Sequence, residues 1–216
     1  WYCNSNSNKT YELSIRAIDK ENEIWKIRFV NIILFGPPGA GKGTQAKHLV
    51  KKLDSYQIST GDMLRDEITK NSQIGKIIVN DMNDGKFVSD NIVNQLIKNI
   101  LFDPKMKNKL VFDGYPRSLS QAKNLDILLK ETNQNISFVF YLNVNKETII
   151  KRIEKRKIIE DRSDDELSTT LRRYDTYIET TKPVLEFYSK NSNFREIDGS
   201  LEIDQITNKI DAFINV

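Results

Sequence analysis

The chain is predicted to belong to the α/β class, with a parallel sheet covered on both faces by helices. Three observations carry that expectation. Short, continuous apolar runs such as Ile32-Ile33-Leu34-Phe35 and Leu110-Val111-Phe112 read as strands buried on both sides. Segments with apolar residues at helical spacing alternate with these runs along the whole chain. The first run feeds straight into Gly36-Pro37-Pro38-Gly39-Ala40-Gly41-Lys42-Gly43-Thr44, a glycine-rich turn of the kind that joins a strand to a helix around phosphate. The expected architecture is therefore a three-layer P-loop sheet with mobile segments above it.

Taken in order, residues 44–53 are the helix after that turn, and Tyr56-Gln57-Ile58-Ser59 is a strand ending at a functional edge. A helix starts in Thr60-Gly61-Asp62-Met63-Leu64-Arg65, and residues 72–84 and 90–102 form two more, with Gly85-Lys86-Phe87-Val88 as the turn between them. Residues 109–113 are a buried strand ended by Gly114-Tyr115-Pro116, followed by a helix over 119–129, a strand over 138–144 and a helix over 146–156. Residues 164–190 are helical with a break or kink at Pro183, which has no N–H to continue the ladder. A last strand covers 194–197 and a helix runs from Glu202 onward. In such sheets ligands sit beyond the carboxyl ends of the strands, so the polar segments 36–44, 60–65 and 113–121 are expected to share one cleft.

Bulk composition narrows the function classes. A net charge of +3 from 33 Lys and Arg against 30 Asp and Glu, evenly interspersed, gives no nucleic-acid surface. The single cysteine, Cys3, can build neither an internal disulfide nor a multi-cysteine zinc site, and no apolar stretch approaches the ~20 residues of a membrane span. A reducing, cytoplasmic setting is expected, with a monomer as the working form. Residues 1–27 read as an N-terminal extension. Trp1 to Lys9 is rich in Asn and Ser and lacks an initiating methionine, so a natural start upstream is expected, and membrane anchoring or organelle targeting there stays open.

The chemistry lies in two cationic groups. Backbone N–H groups of the glycine-rich turn, the positive end of the next helix and Lys42 favour a polyphosphate. The hydroxyl of Thr44 arrives one residue later than in the usual pattern, which leaves its reach to metal less defined than the phosphate cradle. Arg65, near the start of its helix, and Arg117, after the strand-ending Asp113, can each grip a second phosphate bidentately. Two anion sites in one cleft suggest transfer between two nucleotides. Asp113 either holds magnesium through water or accepts from the Gly114 and Tyr115 amides, with metal support favoured. His48, the only histidine, lies in the first helix away from these motifs and is assigned a surface or packing role.

Residues 36–45, Ser59-Thr60-Gly61-Asp62-Met63-Leu64-Arg65, Asp113-Gly114-Tyr115-Pro116-Arg117 and Arg162-Ser163-Asp164-Asp165 stand in the order and spacing of the adenylate kinase family, which the chain resembles from about residue 31 to 216. The resemblance implies a nucleoside-monophosphate kinase domain over 28–216, with an NMP-binding segment near 59–88 and a lid near 156–166. It implies reversible transfer from ATP with Mg2+ to AMP, giving two ADP. Gly39, Ala40, Gly41, Lys42, Gly43 and Thr44 correspond to the ATP cradle. Arg152 and Gly199 correspond to the donor-base contacts. Thr60, Arg65, Lys86, Phe87, Val88, Gly114, Arg117 and Gln121 correspond to the AMP site. Arg152, Arg156, Arg162 and Arg173 correspond to the arginines that join at closure, the last two also touching AMP, and Lys42, Arg117, Arg156, Arg162 and Arg173 form the catalytic set. Such transfer needs positioning and fixed positive charge rather than a general base.

Thr60 and Gln121 match the adenine acceptors of the family rather than its pyrimidine kinases, where alanine and asparagine tend to stand. A UMP/CMP kinase, a GTP:AMP phosphotransferase and a non-catalytic nucleotide sensor remain as alternatives. Five residues separate Arg156 from Arg162, the count of the short-lid form, yet Asp161 stands where that form usually has glycine and Ile158-Ile159 replaces a small flexible stretch. A longer lid not represented in the chain is the other reading. Asp164 and Asp165 either fix the closed lid or serve as helix-start charges.

Overall fold

Five parallel strands form one sheet in the order β2-β3-β1-β4-β5, with β1 (Ile32–Phe35), β2 (Tyr56–Ser59), β3 (Leu110–Asp113), β4 (Phe138–Asn143) and β5 (Phe194–Asp198). This computed structural model describes residues 30–160 and 166–214. Between the strands run α1 (Lys42–Leu53), α2 (Thr60–Thr69), α3 (Gln73–Asn83), α4 (Asp90–Leu101), α5 (Leu119–Glu131), α6 (Lys146–Glu160), α7 (Leu167–Ser189) and α8 (Ile203–Ile214), with a 3-10 turn at Pro104–Met106.

The central strands β1, β3 and β4 are largely buried on both faces, which is why they read as apolar runs, whereas the edge strands β2 and β5 carry exposed polar positions. Successive side chains point to opposite faces. Ile33, Phe35, Phe112 and Val139 therefore pack under α4, α5 and α7 against Ile97, Leu125, Val184 and Tyr188. Ile32, Leu34, Val111, Phe140 and Leu142 face α1, α6 and α8 through Leu49, Ile149, Ile153, Ile206 and Ile210. At the amino end of β1, buried Asn31 accepts from the Leu110 N–H and donates to the Asn135 carbonyl, a polar staple between β1 and β3 that apolar patterning does not reveal.

Several expected boundaries shift. The helix after the glycine-rich turn begins at Lys42, two residues early, and α6 continues to Glu160. The break expected at Pro183 does not occur: α7 is continuous from Leu167 to Ser189. Burial of Thr181, Val184 and Tyr188 on one side of the proline-containing turn holds the helix together despite the missing N–H.

The chain leaves β1 toward β2 and β3 on one side and returns to β4 and β5 on the other. The loops after β1, β2 and β3 therefore open at one end of the sheet, where α2, α3 and the turn to α4 fold over the cleft.

Candidate active site

The glycine-rich turn wraps the mouth of the cleft between β1 and α1. Gly39, at φ 79, occupies a conformation that side-chain-bearing residues avoid, and an added Cβ would come within 3.0 Å of Ile153 on α6. Only a glycine lets the turn lie this close to the neighbouring helix. Ala40 is buried, while Gly43 and Thr44 occupy the first turn of α1, so the N–H groups around them point along the helix axis toward the cleft.

Lys42 reaches back across the turn, its Nζ donating to the carbonyls of Gly36 at 2.8 Å and Pro37 at 3.0 Å. Burial of the ammonium pushes its pKa down to about 8, although the residue as a whole keeps some exposed surface. Asp113 opposes that shift, and the positive charges of Arg117, Arg173 and Arg156 reinforce it. A lysine, three arginines and one carboxylate thus feel one another's fields, as groups meant to surround a polyanion must.

A cleft with about 420 Å³ of open volume is lined by Lys42, Gly36, Phe87, Gly114, Arg117, Arg173, Tyr177 and Thr181. A second hollow adjoins it, lined by Gly61, Arg65, Gly85, Lys86, Val88 and again Phe87, Arg117 and Arg173. The shared residues make the two hollows one continuous trough, with the glycine-rich turn at one end and the α2–α4 segment at the other.

Arg117 stands at the junction. Its Nε donates to the Gly114 carbonyl at 2.6 Å, and the same carbonyl accepts from the hydroxyl of buried Thr60 at 2.9 Å. Its backbone is held at both ends, the N–H by Gln121 Oε1 at 2.7 Å and the carbonyl by Thr181 Oγ1 on α7 at 3.1 Å. Arg65 pairs with Asp62 one turn earlier on α2, and the exposed Lys86 pairs with Asp84 at 3.0 Å. Gly85, at φ 72, places its backbone where a Cβ would lie 3.0 Å from Arg173 Cγ, so the turn before α4 rests directly on α7.

On the other side, Arg152 of α6 donates to the Gly199 carbonyl at 2.8 Å and, more weakly, toward Ala40 and Leu201, joining the turn after β5 to the phosphate loop. Asp113, at the end of β3, accepts from Gln57 Nε2 of β2 at 3.1 Å. Gln121 is buried, with its Nε2 donating to Asp90 Oδ1 at 2.7 Å. Its amide therefore has an internal partner at each end, in addition to the ligand role expected from the sequence. His48 Nε2 lies 2.9 Å from Asp211 Oδ1, linking α1 to α8 remote from the trough.

Lys42, Arg65, Lys86, Phe87, Val88, Gly114, Arg117 and Arg173 thus line one trough. Buried Thr60 and Gln121 are hydrogen-bonded to the Gly114 carbonyl and the Arg117 N–H, the charges of Asp113 and Arg156 are felt at Lys42, and Arg152 and Gly199 join the phosphate loop to the turn after β5. Arg162, Asp164, Asp165 and most of the expected lid lie outside the described residues, as does the extension over 1–27. Gln57, Asp90 and Thr181 were not legible as site residues, because each acts through a partner far away in sequence.

The family model for adenylate kinase matches residues 34–193, from within β1 to the residue before β5, and so includes all of these groups except Gly199. The chain belongs to the adenylate kinase family. The adenylate kinase of Pelagibacter ubique is 48% identical over 213 residues, covering 87% of this chain and 100% of that protein. The Mycoplasma mycoides adenylate kinase is 39% identical over 215 residues, with 87% and 100% covered, and that of a Caulobacter species is 38% identical over 187 residues, with 87% and 99% covered. The same share of this chain needs 213 aligned positions against the Pelagibacter protein and 187 against the Caulobacter one, so adenylate kinases differ in length within the matched region. Among the described residues no helix is long and apolar enough to cross a membrane, and none form a cluster of three or more metal-ligating side chains.

Proposed function

We propose that the trough binds ATP at the glycine-rich turn and AMP under the α2–α4 segment, and that the chain transfers the terminal phosphoryl group between them to give two ADP. The observation that carries this reading is that Arg117 and Arg173 line both hollows while Lys42 lines the first, with the positive charge of Arg156 also felt at Lys42. A phosphoryl group in transfer spreads charge over its equatorial oxygens, and fixed cations that need no reorganisation stabilise it most.

Gly39 to Thr44 present backbone N–H groups and Lys42 to the ATP phosphates, and Arg152 with Gly199 flanks the donor base. Arg65 and Arg117 hold the AMP phosphate. Thr60, Val88 and Gln121 take its base, and Arg173, with Arg162, joins at closure. Asp113 is the carboxylate suited to support magnesium through water; a lone carboxylate fits an ion whose other ligands are phosphate oxygens and water. Magnesium bound there would neutralise donor phosphate charge. The reading includes an AMP-binding segment over 59–88, a lid over 156–166 and a monomeric, cytoplasmic enzyme.

A coupled assay of ATP and GTP as donors against AMP, CMP, UMP and GMP as acceptors tests the reading. Rapid turnover with ATP and AMP alone is expected. CMP or UMP phosphorylated as fast as AMP would overturn the acceptor assignment, and GTP used as well as ATP the donor assignment. A bisubstrate compound joining two adenosines through a polyphosphate is expected to inhibit against both substrates.

A further inference from the structure

Behind the AMP end of the trough, Asp90, Ser118 and Gln121 close a ring of hydrogen bonds. Ser118 Oγ caps α5 by accepting from the Gln121 N–H at 3.1 Å and donates to Asp90 Oδ2 at 2.7 Å. The other carboxylate oxygen of Asp90 accepts from Gln121 Nε2 at 2.7 Å, and Gln121 Oε1 accepts from the Arg117 N–H at 2.7 Å. Asp90 is the first residue of α4, two positions beyond Val88.

The chemistry of the two partners fixes which way the amide faces. A carboxylate only accepts and a backbone N–H only donates, so the NH2 must face Asp90 and the carbonyl must face Arg117. After these bonds the amide keeps one N–H and one lone pair. Adenine offers an acceptor at N1 beside a donor at its 6-amino group, whereas hypoxanthine offers the same two functions exchanged. An amide held in one sense can match one of these bases and not the other, and an amide free to rotate by 180° can match both.

We propose that Asp90 is a positioning residue for acceptor selectivity: by locking the Gln121 amide in one sense it makes the site prefer the 6-amino purine of AMP over the 6-keto purine of IMP. The inference rests on the assignment of Gln121 as a base contact.

The test measures kcat and KM of the full chain with AMP, IMP and ATP for the parent, Asp90→Ala, Gln121→Ala, the double variant and Ser118→Ala. Loss of a hydrogen bond to a charged group is expected to raise the KM for AMP about tenfold in Asp90→Ala and to lower the AMP-to-IMP ratio of kcat/KM by about the same factor. The KM for ATP is expected to stay within about twofold, which separates positioning from a general loss of structure. The double variant is expected to discriminate no worse than Gln121→Ala alone. Asp90→Ala with undiminished selectivity beside an impaired Gln121→Ala would overturn the role of Asp90 only. Gln121→Ala with undiminished selectivity would sink the base-contact assignment and this inference together. Should Asp90→Ala not fold, Ser118→Ala, which releases Oδ2 while keeping the carboxylate, is expected to lower the ratio about threefold, and an unchanged ratio there overturns the proposal.

Discussion

The guanidinium of Arg117 lies over the ring of Phe87, its central carbon 5.0 Å from the ring centre. Phe87 belongs to the turn before α4 and Arg117 to the loop after β3, so this contact draws the α2–α4 segment onto the sheet. A cation over an aromatic face contributes roughly 0.5–2 kcal/mol. Phe87→Leu is therefore expected to raise the KM for AMP about threefold to tenfold with a smaller change in kcat. An unchanged KM for AMP in steady-state kinetics would remove the ring from the acceptor site.

Arg156 and Arg173 both send positive potential to Lys42 from different helices. If that potential is directed at the transferring group, Arg156→Ala and Arg173→Ala each lower turnover at least ~100-fold while thermal stability changes little. Single-turnover rates together with melting curves check this. Normal turnover in a folded variant excludes the residue from the chemistry.

Lys42 titrates near pH 8 in the free chain because burial disfavours its charged form. A bound polyphosphate favours the ammonium and raises that value. ATP binding is therefore expected to take up protons at pH values above about 8, and ATP affinity to fall as pH rises through that region. Calorimetry at pH 8.5 in buffers of different ionisation enthalpy reads the uptake directly, and Lys42→Met is expected to abolish it. Proton release on binding would contradict the assignment.

Gln57 orients Asp113 through a single hydrogen bond between adjacent strands. Gln57→Leu leaves the carboxylate free to rotate and is expected to raise the magnesium concentration for half-maximal activity about threefold to tenfold, by loss of one hydrogen bond to a charged group. The titration of activity with magnesium at fixed ATP measures it. No shift would mean that Asp113 acts without that support.

Gly75 on α3 meets the backbone of α2 so closely that an added Cβ would lie 2.1 Å from the Glu67 carbonyl oxygen. Gly75→Ala must push the two helices apart, at about 1–3 kcal/mol for overpacking. That corresponds to a fall in Tm of roughly 2–12 °C for a domain of this size, with a raised KM for AMP because the two helices roof the acceptor end. Differential scanning calorimetry decides it.

Much of this was readable in the chain itself. Ile32 to Phe35 and Leu110 to Phe112 announced strands because a sheet buried on both faces leaves no polar alternation, and the turn from Gly36 to Thr44 announced the phosphate site because it follows the first of them. Arg65 and Arg117 stood out because each follows the end of a strand, β2 or β3, whereas Thr60 and Lys86 came only from the family resemblance. Of the break or kink that local backbone chemistry suggested at Pro183, the break is absent, because packing of Val184 and Tyr188 into the core keeps the helix continuous.

The sequence by itself determined the strands and helices, the phosphate loop and the identity of the cationic side chains, since those rest on periodicity and on residues adjacent in the chain. Only the tertiary structure decided which of the arginines face Lys42, that Gln57 holds Asp113, and that Asp90 and Arg117 grip the two ends of the Gln121 amide. Apart from the contact between Arg117 and Gln121, which are neighbours at the start of α5, those relationships join residues 31 to 131 positions apart in the chain, at spans where no local rule applies. They exist because the parallel sheet brings the ends of β1, β2 and β3 to a single edge, where side chains meet by proximity in space alone.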